Sequence, residues 1–230
     1  MIDFHYAPTP NGWKVAILLE ETGLPYRLVP IDLGAGEQFR PEFLKISPNA
    51  KMPAILDHDE DPPLPVFESG AILWHLAEKA GRFLPEGRRA RTEAREWLFW
   101  QAANQGPMAG QLAHFRNYAP EGMDYALRRY AGEHERNLAV LDRRLEGRDY
   151  VLGEYSIVDM MCFPWALIAK ALGADLTPFP HLSAWRDRVK DRPAVRKAVA
   201  LGKASAAERR TAETHPILFN QTAAHLRGGG

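Results

Sequence analysis

The stretch "YAPTPNGWK" at residues 6–14 holds the first chemistry. It joins a short apolar run, "IDFHY", to a helix-like run, "WKVAILLEETG". Thr9 and Asn11 supply a hydroxyl and an amide where a helix begins, so donors would converge there on an anion. A thiol enzyme built on such a turn would keep a C-x-x-C motif there, and here that place reads "TPNG". The scaffold of a thiol enzyme therefore lacks a thiol of its own, and a ligand would have to bring the sulfur. The plain alternative is a capped helix start, with Thr9 or Asn11 as N-cap and Pro10 as an ordinary first-turn residue.

Two further stretches carry polar chemistry. In "NAKMPAILD", Pro53 stands at a strand start, where it removes a donor, and a cis Met52–Pro53 bond would suit it. The Met52 backbone would then be free to pair with an extended peptide. In "FESGAIL", Glu68 and Ser69 precede a helix. Ser69 reads as an N-cap beside an anion site, and Glu68 as a partner for an ammonium. A capped helix beside an acid is the plain reading of that pair. One face would thus hold a hydroxyl-and-amide turn, a free backbone edge and an anion site next to a carboxylate. A short peptide with a thiol, an α-amine and carboxylates matches all three, and glutathione is such a peptide.

Other candidates carry less. The eight histidines include no two within four residues of each other, and none lies near the single cysteine, so zinc spacings are absent. "GAGEQF" has Phe39 where a dinucleotide loop needs its third glycine. It reads as a loop whose Gln38 could bond a ligand. Cys162 sits mid-helix among Met160, Met161 and Phe163 and reads as a small buried apolar residue, not a nucleophile.

The elements that would position these residues follow from pattern. "IDFHY", the helix from Trp13 to Thr22 and "YRLVPID" make a βαβ unit with parallel strands. Gly23 and Pro25 stop the helix. After the loop, "EFLKIS" is a helical turn. "KMPAILD" and "PVFES" are strands too close in sequence for a crossover, so they pair antiparallel, and "SGAILWHLAEKAG" is an amphipathic helix. This half is α/β, in the order βαβ-α-ββα, over 1–82.

"RFLPEGRRARTEA" reads as a linker, and 88–202 as an all-α domain. Within it, "EAREWLFWQAANQ" is a helix broken near Gly106 and Pro107. "SIVDMMCFPWALIAKALG" is the central buried helix, opened by an S-x-x-D capping box at Ser156 and Asp159. "HLSAWRDRVKDRPAVRKAVALG" is one or two helices, interrupted at Pro193. A tail over 203–230 contains "HPILFNQTAAHL", which could dock on the body.

The chain has 230 residues, 46% hydrophobic and 25% charged, with 29 basic and 29 acidic residues. Zero net charge selects against a nucleic-acid partner. No apolar run spans a bilayer, no leader is visible, and a lone cysteine suits a cytoplasmic protein.

"NAKMPAILD", "FESGAILWHLAEK" and "YSIVDMMCFPW" together resemble the cytosolic glutathione transferase superfamily over residues 1 to about 200. "APTPNG", "QFRPEFLKISPNAKMPAI" and "WLFWQ" look more like the bacterial Nu class, which lacks a catalytic Tyr, Ser or Cys. The resemblance implies a thioredoxin-like glutathione-binding domain, a homodimer, and two glutathiones or one glutathione disulfide per site. It implies disulfide reductase activity with weaker transferase and peroxidase activity, and no metal.

Carried over by residue, Thr9 and Asn11 would contact the sulfur. Gln38 and Lys51 would contact the glycyl end, Met52 beside Pro53 the cysteinyl backbone, and Glu68 and Ser69 the γ-glutamyl group. Arg129 would reach in from a partner subunit, although the residue alone reads as a solvated helix charge. Phe99, Gln105, Phe115 and Tyr118 would line the second-substrate pocket. Trp13 and the short "HDEDPPLP" loop depart from the family pattern. The rival from another class is a non-catalytic glutathione-binding module, which would retain glutathione without turnover.

Overall fold

The computed structural model describes residues 1–119, 122–201, 215–219 and 221–226. These form two compact units, one of Met1–Ala80 with the described residues from Ala194 onward, the other of Gly81–Pro193.

The first unit is built on a four-stranded mixed sheet in the order β2-β1-β3-β4. β1 (Ile2–Tyr6) pairs parallel with β2 (Tyr26–Pro30) and antiparallel with β3 (Ala54–Asp57), which pairs antiparallel with β4 (Leu64–Phe67). The expected βαβ unit and the antiparallel second pair are both present. Ile2, Phe4 and Tyr6 alternate onto one buried face, each at most 2% exposed.

Helix α1 (Pro10–Thr22) begins three residues before the predicted Trp13, because Thr9 caps it and Pro10 stands at its first turn. Val15, Ala16, Ile17, Leu18 and Leu19 are all buried. Burial of each large aliphatic side chain is worth roughly 1.5–3 kcal/mol. Gly23 ends the helix in the left-handed region at φ 70°, returning its N–H to the Leu19 carbonyl.

Gly12 is required for a different reason. A Cβ there would lie 2.4 Å from the Ala7 carbonyl oxygen and 2.9 Å from the Tyr6 ring. Its absence lets the first turn of α1 close onto the end of β1.

A 3-10 turn at Glu37–Phe39 and the short α2 (Pro41–Leu44) precede β3, and α3 (Ser69–Ala80) follows β4. The C-terminal end of this unit also packs back. Lys197 of α9 (Pro193–Ala200) pairs with Glu20 of α1 at 2.6 Å. The sequence places 88–202 in one helical domain, but this tie draws α9 from Ala194 onward into the sheet-bearing unit. In the expected tail, α10 (His215–Phe219) brings Ile217 near Gly36, and the His225 ring lies tilted at 42° to Phe39 with centroids 4.8 Å apart. Residues 203–214 of that tail lie outside the described residues.

The second unit is helical: α4 (Arg88–Trp100), α5 (Gly106–Asn117), α6 (Asp124–Leu145), α7 (Ile157–Leu167) and α8 (Pro180–Lys190). The stretch read as a linker is helical from Arg88, since charge marks a solvated face and does not prevent a helix. Gly106 and Pro107 do not break the chain into separate helices. A π-helical segment, Gln101–Gln105, carries α4 into α5, and Gly106 donates to the Gln101 carbonyl. That wider turn accommodates a proline that an α-helix interior would reject.

Helix α7 is the central one, buried from Ile157 through Ala166. Its capping box is formed: Ser156 Oγ accepts from Val158 N–H, and Asp159 accepts from both the Ser156 N–H and its hydroxyl. Asp159 also accepts from Val151 N–H and Trp185 Nε1, which joins α7 to α8. Burial pushes this carboxyl up to about 6 against the pull of its donors.

Candidate active site

One cleft of 180 Å³ in the first unit is lined by Asn11, Ser47, Lys51, Met52, Pro53, Phe67, Glu68 and Ser69. These residues come from the first turn of α1, the approach to β3 and the β4-to-α3 junction. Six of the nine residues singled out in sequence therefore meet in one place. The cleft is smaller than the ~300–1,000 Å³ of sites that engulf a ligand.

Asn11 is the second residue of α1, where unsatisfied backbone N–H groups and the positive end of the helix dipole face outward. Thr9 is the N-cap. Its Oγ1 accepts from Gly12 N–H at 3.2 Å and reaches the Ala7 carbonyl at 3.5 Å. The capping role that sequence weighed against sulfur contact is thus occupied, and Thr9 is not part of the cleft lining. Tyr6, the neighbouring phenol, donates to the Leu201 carbonyl at 2.9 Å, and burial holds its pKa up at about 12. A phenol so placed is a poor source of thiolate stabilisation.

Met52 and Pro53 are joined by a cis bond. The ladders of β3 begin at Ala54, opposite His5 and Phe67, so the Met52 backbone lies outside the paired register. Ser47 Oγ holds this approach by donating to the Lys51 carbonyl at 3.0 Å.

Glu68 has φ +68°, a left-handed conformation that non-glycine residues seldom adopt and that costs of order 1–3 kcal/mol. Such strain clusters at binding sites. Its carbonyl accepts from Ile72 N–H, so Glu68 holds the cap position and Ser69 is the first helical residue. This corrects the reading of Ser69 as N-cap. Ser69 is buried and lines the cleft just inside the helix start.

Sequence reasoning missed Lys14. It is 2% exposed, and its ammonium lies 3.4 Å from Ser69 Oγ. A buried lysine one turn into α1 thus stands against the start of α3. The only sequence signal was a lysine opening the apolar run Val15–Leu19, which reads equally as a solvated flank.

Two expected residues stand apart. Gln38 is buried in the 3-10 turn, donates through Nε2 to the Leu33 carbonyl at 3.3 Å, and does not line the cleft. Arg129 lies in α6 of the other unit, exposed and paired with Glu133 one turn on at 2.5 Å. Gln105, expected in a substrate pocket, is fully buried and donates to the Cys162 carbonyl. Cys162 itself is buried in α7, as expected of an apolar core residue. Among the described residues no group of His, Cys, Asp and Glu could hold a metal ion.

The family models for the glutathione S-transferase N-terminal and C-terminal domains match residues 1–78 and 120–193. The disulfide-bond oxidoreductase YfcG of Escherichia coli (strain K12) is 49% identical over 203 residues, 86% of this chain and 94% of the relative. YghU of the same organism, also a disulfide-bond oxidoreductase, is 41% identical over 82% of this chain and 70% of its own length.

Among solved structures, a glutathione transferase from Burkholderia graminis with two glutathione molecules bound per subunit superposes with a TM-score of 0.82. It is 41% identical and 88% of each chain is covered. A glutathione transferase from Pseudomonas putida with one glutathione disulfide bound per subunit gives 0.81, at 38% identity over 87% of this chain and 91% of that one. Likeness in both units, at 49% identity over most of the chain, leaves one assignment: this chain belongs to the glutathione S-transferase family.

Proposed function

We propose that the protein is a glutathione-dependent disulfide reductase of the Nu type, with weaker hydroperoxide and conjugating activity. The supporting observation is that Asn11 and the start of α1 share one cleft with the unpaired Met52 backbone and the strained Glu68–Ser69 junction. The oxidoreductases YfcG and YghU support the reaction class.

In this reading glutathione lies along the cleft. Its γ-glutamyl carboxylate meets Ser69 and the start of α3, backed by Lys14, and Glu68 takes the α-ammonium. Its cysteinyl backbone pairs with Met52, and Lys51 takes the glycyl end. The sulfur sits at the first turn of α1, where Asn11 and free N–H groups donate to it, with the Thr9 hydroxyl proton adding to them by turning away from Ala7. Gln38 contributes at the glycyl end by holding the loop at Leu33. The protein is a cytoplasmic homodimer in which residues 1–82, with the described residues from Ala194 onward, form the glutathione-binding domain and 88–193 the helical domain. There Arg129 serves the partner's site.

A cysteine thiol has a pKa of about 8.5, and lowering it by roughly two units takes about 2.7 kcal/mol of preferential thiolate stabilisation. A hydrogen bond to a charged group gives roughly 1.5–3 kcal/mol, and a helix N-terminus about 0.3–1. Asn11 and the helix start together give about 1.8–4 kcal/mol, a range that brackets the requirement, and the Thr9 hydroxyl adds to it without a general base.

The thiolate attacks one sulfur of a disulfide. The S–S bond breaks, a mixed disulfide forms and the displaced thiolate takes a proton from water. A second glutathione thiolate attacks the glutathione sulfur of the mixed disulfide, giving glutathione disulfide and releasing the remaining thiolate. Side-by-side turnover of a small dialkyl disulfide, a hydroperoxide and an aryl halide tests the reading. The disulfide should be turned over fastest. Glutathione retention with no turnover of any of the three would favour a binding module instead.

A further inference from the structure

An asparagine that precedes glycine is chemically the least durable kind, because a backbone nitrogen with no Cβ beside it reaches the asparagine carboxamide with little hindrance. The chain has six asparagines, and Asn11 is the one followed by glycine. Packing forces this pairing. Asn11 lines the cleft, while a Cβ on Gly12 would lie 2.4 Å from the Ala7 carbonyl oxygen. The needs of the cleft and of the turn behind it therefore fall on adjacent residues.

The helix start restrains the reaction. Gly12 N–H lies in the first turn of α1, where no preceding helical carbonyl is in place to take it. It donates instead to Thr9 Oγ1 at 3.2 Å, and the Thr9 carbonyl accepts from Trp13 N–H at 3.0 Å. For the Gly12 nitrogen to reach the Asn11 carboxamide, the peptide between them must leave helical dihedrals. The first of these two bonds must then break.

We propose that Asn11–Gly12 is a site of spontaneous modification whose rate is set by the Thr9 cap. When the turn opens, the Gly12 nitrogen loses its proton to solvent base and attacks Asn11 Cγ. A Cγ–N bond to Gly12 forms, the Cγ–Nδ2 bond breaks, and ammonia leaves with a proton taken from water. Water then opens the cyclic imide at either carbonyl, giving aspartate or isoaspartate. The effect on activity rests on the proposed reaction: the new carboxylate removes a donor from the sulfur and sets a like charge against the thiolate.

The full chain is aged in mildly alkaline buffer, and its peptides are followed by mass spectrometry for the change from amide to acid. Conversion at Asn11 should lead that at every other asparagine. Thr9→Ala should speed it about fivefold, the gain in opening expected when an N-cap is lost, whereas Thr9→Ser keeps the cap and should stay close to the wild-type rate. The other asparagines report the state of the fold in the same sample. Asn11 converting no faster than the others, or Thr9→Ala converting at the wild-type rate, would overturn the proposal. Equal acceleration at all asparagines in Thr9→Ala would overturn it as well, since that is general unfolding and not release of a cap. Turnover should fall in step with conversion, toward that of Asn11→Asp made directly. Conversion on this schedule with turnover intact would uphold the modification and count against Asn11 in the reaction.

Discussion

At the scale of single residues, Asn11 carries the proposed chemistry because it lines the cleft at the first turn of α1. Tyr6 gives its hydroxyl to Leu201 and Thr9 caps α1, while Cys162 is enclosed in α7. Asn11→Ala should lower turnover about tenfold or more, equivalent to the loss of about 1.4 kcal/mol or more at the transition state, with glutathione affinity changed much less. Steady-state kinetics and calorimetry on one preparation check both. Lys14→Met should act the other way, raising KM for glutathione about tenfold while kcat moves little. A buried lysine at the carboxylate end binds substrate and transition state alike.

The convergence of six candidates on one cleft was readable because each lies in a short local pattern, a turn, a strand start or a helix start. Lys14 was not, since its partner Ser69 is 55 residues away in sequence and only the fold brings them together. The same reason hid the burial of Gln38 and Gln105.

At the scale of elements, the first turn of α1 depends on the missing side chain of Gly12. Gly12→Ala must move the backbone oxygen of Ala7 or the helix itself. It should destabilise the fold by about 1–3 kcal/mol, the usual cost of overpacking, and lower activity with it; chemical denaturation measures the first.

At the far end of β3, Asp57 is fully buried and accepts from His75 Nε2 at 2.9 Å and from Lys79 Nζ at 2.9 and 3.1 Å, tying β3 to α3. Burial alone would raise its pKa, but these bonds bring it below the ordinary value. A depressed carboxyl contributes stability that is present above its unfolded pKa of about 3.9 and lost as pH falls through the folded value. Asp57→Asn should therefore cost about 3 kcal/mol at neutral pH. The gap to the wild type should narrow in denaturation below about pH 4. Strand pairing and the capping box of α7 were legible because alternation and caps are local signals. The π-helical segment was not, because Gly106 and Pro107 read as a break unless the wider turn that absorbs them is seen. The left-handed Glu68 has no sequence signature, as glutamate is not a residue that favours it.

At the scale of the whole molecule, the chain separates its duties: the sheet-bearing unit holds the cleft, and the helical unit is organised around α7 and Asp159. Cys162→Ala removes only a small buried side chain from that core. It should retain full reductase activity while costing about 1 kcal/mol of stability, and loss of activity in a folded variant would return the reaction to a protein thiol. The two-part architecture was legible from the change in character after Gly81. The boundary near 200 was not, since α9 has the pattern of any amphipathic helix and the contacts that place it with the first unit, such as Lys197 to Glu20, are distant in sequence. No helix among the described residues is long and apolar enough to cross a membrane.

The central claim is that glutathione brings the sulfur and the protein keeps it ionised with hydrogen-bond donors at the first turn of α1. Titrating the ultraviolet thiolate absorbance of bound glutathione against pH tests it directly. The account predicts a bound thiol pKa about two units below the free value of ~8.5 in the wild type, rising by about one unit or more in Asn11→Ala. A bound thiol that titrates like free glutathione in the wild type, or at the same pH in both proteins, would contradict it.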